Sequence, residues 1–160
     1  MLNNIYIYDM RVKFLIVLVS CFFTLLCNAQ VQVSTKQLAG TKWEATLYNI
    51  SGIKENPSYK NTKQFEGEIY NSCSYYIQGE EPSVSTFRYY VSATAPSDNV
   101  FNDICVGKDN KGSYIVYYND KTNETCVYTI ISFNDDEMVL HNKTVTDPVL
   151  DCYVTYKRVK

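Results

Sequence analysis

A single histidine limits the chemistry open to this chain of 160 residues. His141 lies in the run Val139-Leu140-His141-Asn142-Lys143. An acyl-transfer triad needs a histidine between an activated nucleophile and an orienting acid, and no nucleophile elbow is present. His141 is therefore read as an outward strand residue. Asp135-Asp136-Glu137 gathers carboxylates but lacks the alternating ligands and glycine of a calcium loop, so it reads as a solvated hairpin turn. Glu80-Glu81-Pro82 reads the same way, and Glu66 and Glu68 form an ordinary solvated pair on one strand face. Cys73, Cys105, Cys126 and Cys152 are widely spaced and show no C-x-x-C step, which argues against zinc. No catalytic residue, metal or cofactor is expected. The residue type in excess is tyrosine, fifteen in all. That is more than a core of this size buries dry, so some should line a pocket wall, a rim or a surface where the hydroxyl meets water.

The balance of 15 basic and 17 acidic residues, with no basic run, disfavours a nucleic-acid partner. The N-terminal region reads as a targeting segment. Met10-Arg11-Val12-Lys13 precedes an apolar run from Phe14 to Cys27 and a small-residue exit at Asn28-Ala29, the layout of a secretory signal peptide. Met10 is expected to be the true start, with residues 1–9 a mis-annotated extension. The apolar run is too short to span the roughly 30 Å of a hydrocarbon core, so no transmembrane span is expected. The chain is thus expected to be secreted or periplasmic. Leu18-Val19-Ser20-Cys21 also has the form of a lipoprotein cleavage site, and a lipid anchor on Cys21 is the alternative. Domain organisation follows as 1–29 signal peptide, 30–40 lead-in and 41–160 one β domain.

From Trp43 onward, aromatic and β-branched stretches alternate with polar punctuation at the spacing of an all-β sandwich or barrel. Strands are predicted over 41–49, 65–77, 84–93, 100–106, 113–119, 124–133, 137–143 and 151–159. Residues 37–40 are long enough only for a helical turn. The stretch 50–64 reads as one long loop, of the kind that serves as a lid or a binding loop. Eight antiparallel strands in sequence order close naturally into an up-and-down β-barrel, which removes exposed edges. At that strand number the interior is either filled by side chains or holds one small ligand.

Two pieces of sequence resemble a known family. Leu38-Ala39-Gly40-Thr41-Lys42-Trp43 opens the first strand and Tyr153-Val154-Thr155-Tyr156-Lys157-Arg158 closes the last. Together they resemble the lipocalin-like proteins, in which a Gly-x-Trp at the start of the barrel packs near a basic residue of the last strand. Here the spacing is Gly-Thr-Lys-Trp instead. The segment YYVSATAPSDNVFNDICVGKDNKGSYIVYY is similar to small exported lipocalin-like proteins of Bacteroidetes, as is a signal ending in Ala-Gln. The resemblance implies structural roles for Gly40, Trp43 and Arg158, with Trp43 plugging one barrel end and Arg158 across its face as a cation–π partner. A rival resemblance is to salivary lipocalins of arthropods, which scavenge small amines. Sequons at Asn49, Asn123 and Asn142 would suit that origin, although Asn and Thr are abundant here and a bacterial origin is favoured.

Alternation assigns faces. With Trp43 inward, Leu47 is inward too, and outward Glu68 and Arg88 place Ile69, Tyr75, Phe87 and Tyr89 inside. Met138 and Leu140 are inside by contrast with His141. In 113–119 both parities are large; Tyr114, Val116 and Tyr118 are taken as inward because Ser113 shares the other face. These residues line the pocket if there is one. The even cysteine count in an exported chain suggests two disulfides, and of the three pairings Cys73–Cys105 with Cys126–Cys152 is the least strained. Two functions of different class follow. One is a carrier or scavenger of a small hydrophobic or aromatic molecule, with an aromatic pocket under the 50–64 loop. The other is a packed barrel binding a protein partner, as an inhibitor or envelope component.

Overall fold

Alternating aromatic and β-branched residues favour the pleated strand, and strands account for most of the fold. The structure is a computed structural model that describes residues 31–97, 100–143 and 148–160. The signal peptide, the start at Met10, the anchor at Cys21 and the Thr144 of the third sequon lie outside the described residues. Chain order is β1 (Val33–Ser34), α1 (Thr35–Leu38), β2 (Thr41–Ile50), β3 (Ile53–Glu55), β4 (Lys60–Phe65), β5 (Ile69–Tyr75) and β6 (Ser83–Ser92). A 3₁₀ turn (Asp103–Cys105) follows, then β7 (Lys111–Gly112), β8 (Tyr114–Asn119), β9 (Glu124–Phe133), β10 (Glu137–Lys143) and β11 (Asp151–Arg158). Strands β2, β4, β5, β6, β8, β9, β10 and β11 pair in that order, all antiparallel, and β11 pairs back onto β2. The sheet is therefore a closed eight-stranded barrel, compatible with a lipocalin-like fold. No helix among the described residues is long and apolar enough to cross a membrane.

The strand number agrees with the sequence reading, but two assignments exchange places. Residues 50–64 are not a loop. Ser51 and Gly52 both have positive φ, 49° and 90°, as a tight two-residue hairpin turn requires. The chain then returns along β2 as β3 and continues as β4, with only residues 56–59 interrupting the strand. Conversely, 100–106 is not a strand. It holds the 3₁₀ turn and lies against the outer face of β6 and β8, where Phe101 packs 5.3 Å from the Tyr90 ring and 5.5 Å from that of Tyr118. The predicted strand 65–77 breaks as well: β4 ends at Phe65, and Glu66–Glu68 form the turn into β5 rather than a strand face.

Take the end at which β2 begins as the lower end. It is closed by the N-terminal lead-in. Ser34 and Gln37 form a capping box on α1, satisfying two otherwise orphaned amides. Val33 and Leu38 are fully buried with Trp43, Phe65, Val91, Ile115, Ile130, Met138 and Leu140, making a dry floor. The lead-in is pinned by β1 pairing with β7 at Val33 and Gly112. A Cβ on Gly112 would stand 1.8 Å from the Ser92 carbonyl oxygen, so only glycine allows this approach.

Candidate functional site

Register decides which side chains enter the barrel. Ile115 pairs with Val91 and Tyr128, and Tyr117 with Tyr89 and Cys126. Of these, Ile115, Val91, Tyr128, Tyr117 and Tyr89 are packed in or on the core. Tyr114, Val116 and Tyr118 therefore face outward, opposite to the sequence reading. The physical reason is Ser113, whose buried hydroxyl donates to the Val31 carbonyl at 2.6 Å and accepts from Gln32. A satisfied serine fits inside, so its presence does not mark the outer face. Val116 is fully buried on that outer face, and Tyr118 packs on Phe101, where the Arg88 guanidinium lies 5.4 Å from both the Phe101 and Tyr118 rings.

Leu47 is also outward. Thr155 pairs with Leu47 but Tyr156 with Ala45, so a bulge at Thr46 reverses the parity of β2 and turns Tyr48 inward. Ile69 and Tyr75 face outward because Tyr70, between inward Phe65 and Phe87, takes the inner position. Phe87, Tyr89, Met138 and Leu140 are inward as expected, but Tyr89, Met138 and Leu140 belong to the packed interior. The Trp43–Arg158 contact is present, with the guanidinium 5.8 Å from the indole. Gly40 has φ of 75° just before β2. His141 is on the outer face, hydrogen-bonded to Asp151 at 3.0 Å and stacked on Tyr153.

Among the described residues, Cys73, Cys105, Cys126 and Cys152 are free thiols. Cys73 pairs with Val84 on β6, whereas the 3₁₀ turn holding Cys105 lies beside Tyr90 of the same strand. Six residues of strand separate those positions by about 20 Å. Cys126 and Cys152 have β10 between them and are offset along it, so they exceed the Cα span of a disulfide, at most about 7 Å. Neither expected pair is within bonding reach. Burial raises the thiol pKa of Cys126 and of Cys152.

Above the floor, β4 carries Lys63 into the barrel on the same face as Phe65. Lys63 is only 4% exposed. Its ammonium donates to the Tyr128 hydroxyl at 3.2 Å and lies 4.7 Å from the Tyr128 ring, 5.0 Å from Tyr70 and 5.9 Å from Tyr156. Tyr117 stacks on Tyr128 with centroids 5.1 Å apart and sends its hydroxyl toward the same oxygen. Phe87 and Tyr70 stack at 5.0 Å and both meet the Tyr117 ring, at 5.2 and 5.4 Å, so the cluster is continuous. Among the described residues, no carboxylate lies within ion-pairing distance of Lys63, whereas Lys36, Lys60 and Lys160 each have one and Arg88 has two.

Two effects oppose each other at Tyr128. Burial raises a phenol pKa, but the Lys63 charge and hydrogen bonds from Tyr117, Lys63 and Tyr70 favour the phenolate, and the net direction is downward. Around it, Tyr70, Tyr117 and Tyr156 are pushed up, first by burial and then by Tyr128. Tyr48, at the upper edge, is raised to about 12, first by burial and then by Tyr59. Tyr48, Phe87, Tyr117, Tyr128 and Cys152 remain only partly buried, unlike the floor.

Sequence reasoning missed Lys63, Tyr48, Tyr70, Tyr117, Tyr128 and Tyr156. The pattern Asn61-x-Lys63-x-Phe65 carried a signal, since it puts Lys63 on the face of a core phenylalanine. Two surface grooves are also present. One, of about 710 Å³, is bordered by Ala95, Pro96, Tyr114, Thr129 and His141, and one of about 570 Å³ sits between Gly40–Lys42 and Arg158–Lys160. Neither is lined by Lys63 or Tyr128. A comparison with protein-family models finds no match, and neither does a comparison with curated proteins.

Proposed function

We propose that this chain is an exported, non-enzymatic binding protein that takes a small, partly apolar molecule into the upper half of its barrel as a carrier or scavenger. The observation that carries the reading is an aromatic cluster around buried Lys63 whose other members Tyr48, Phe87, Tyr117 and Tyr128 remain only partly buried, above a floor that is fully buried. Aromatic walls with a few convergent polar groups are the usual composition of a small-molecule site. The resemblance to exported lipocalin-like proteins of Bacteroidetes implies the barrel and its export more than an activity. An amine ligand is disfavoured, because the Lys63 ammonium would repel it.

A second reading has its own support. Ile53, Tyr76, Ile77 and Val84 are each more than half exposed at the upper end. Such a rim suits a protein partner at the cell envelope. Native mass spectrometry of the full chain, exported from a producing cell, separates the two. The carrier reading expects a reproducible excess of a few hundred daltons that disappears on denaturation. A bare native mass, together with capture of a stoichiometric protein partner that an Ile77→Asp substitution abolishes, would overturn it in favour of the second.

A further inference from the structure

We infer that the barrel interior contains an anion subsite, and that its ligand is a small organic carboxylate whose head group is received by Lys63. The inference rests on the carrier reading and deepens it. An ammonium has three N–H donors. Among the described residues, Lys63 uses one, to Tyr128. Its remaining donors sit in a side chain that is 4% exposed, with aromatic faces rather than acceptors around them. A buried donor without an acceptor is costly, and a buried charge without a counter-charge more so. A carboxylate supplies both, accepting the free N–H groups and neutralising the ammonium.

The surroundings select the rest of the ligand. Tyr128 holds the ammonium in place and its hydroxyl can turn to share the same head group. Tyr48, Phe87 and Tyr117, partly buried, offer ring surface to an apolar or aromatic body. Asn61 and Asn142, whose register places them on the inner face nearer the upper end, are neutral; Glu55 and Glu124 share that face at the rim but form no ion pair with Lys63. The same geometry discriminates against a neutral analogue, because an alcohol leaves the charge unpaired.

Titration of the full chain with matched pairs tests this: octanoate against octanol, and hydrocinnamate against its alcohol. Each acid is expected to bind about tenfold or more tighter than its alcohol, the worth of one charge-assisted hydrogen-bonded pair. In Lys63→Met the preference should fall to near parity. A preference that survives in Lys63→Met overturns the assignment to Lys63. Equal binding of acid and alcohol by the unaltered protein overturns the anion subsite and leaves the carrier reading standing. Failure of all four compounds to bind overturns the carrier reading and the subsite with it. If Lys63→Met does not fold, nitrogen-labelled lysine NMR on the unaltered chain gives the answer. The Lys63 Nζ resonance should move with octanoate and stay with octanol, and a resonance indifferent to octanoate overturns the proposal.

Discussion

Lys63 is held without a carboxylate by phenol rings and one phenol oxygen. Each desolvated cation–π contact returns up to about 2 kcal/mol, which offsets part of the cost of removing the ammonium from water. The hydrogen bond to Tyr128 supplies more, so the two residues depend on one another. Tyr128→Phe keeps the ring and deletes the acceptor. It should destabilise the fold by about 1–3 kcal/mol in urea denaturation; a change under about half a kcal/mol would mean that water or another group serves Lys63 instead. Trp43 has a different function. It is fully buried, its indole N–H donates to Thr41 Oγ1 at 2.7 Å, and it packs 5.6 Å from Phe133. Trp43→Ala should cost about 3–5 kcal/mol. Loss of the exposed Arg158 side chain should cost under about 1 kcal/mol. Comparable losses for the two would contradict a floor built on the indole.

Within the strands, two irregularities decide which side chains reach the interior. The bulge at Thr46 reverses β2, and a second shift between Val139 and Leu140 lets Ile130 and Phe133 both face inward on β9. A one-residue slip moves a whole set of side chains to the other face. The parity of β2 is directly testable. Leu47→Lys places its charge on the outer face and should change stability by no more than about 0.5 kcal/mol. Tyr48→Lys sends a second ammonium toward Lys63 and should destabilise by several times that. The reverse order would show that β2 has no bulge. The lead-in is tested at Gly112→Ala, whose new methyl group meets the Ser92 carbonyl. A loss of about 1–3 kcal/mol is expected from the forced shift, with amide exchange quickening at Val33 and Leu38. A neutral result would mean that β7 carries no close approach.

For the molecule as a whole, buried tyrosines make stability a function of alkaline pH. Tyr48, Tyr70, Tyr89, Tyr117 and Tyr156 all hold their protons more tightly in the fold than in water, burial being the first cause for each. Unfolding frees them to ionise at the ordinary phenol value of about 10. Their contribution is intact below that pH and is lost as pH rises through the folded values, about 12 for Tyr48. Tyr128 has the opposite sign, since its folded pKa is lowered. Its contribution is present above the unfolded value and fades as pH falls through the folded one, so it offsets only part of the loss. The urea midpoint should therefore be level through neutral pH and drop above about pH 10. Phenolate absorbance should show some tyrosines ionising only as the barrel opens. A midpoint that stays flat past that pH would mean that the interior is wet.

The closed eight-stranded barrel was determined by local pattern: short β-rich runs, regular polar punctuation and too little helix for any other cover. So were the outward His141 and the solvated Asn134–Asp136 turn, whereas the indole–guanidinium contact at the lower end was implied by the resemblance alone. The second strand was not legible, because its turn uses Ser51 where Asn or Gly usually marks a positive φ, and because Lys60-Asn61-Thr62-Lys63-Gln64 is polar at every position. Within that run alternation has nothing to read, and only Phe65 beyond it hints at the face of Lys63; the pairing of Thr62 and Lys63 with Glu44 and Trp43 commits that lysine to the inside. In β8 both faces are apolar, and the choice between them depends on a segment that crosses the outer face and on a carbonyl of the lead-in that satisfies Ser113. Face and partner are long-range properties here. A strand carries its periodicity in its own residues, but the neighbour that covers each face is supplied by chain many residues away, and the candidate site exists only where those faces meet.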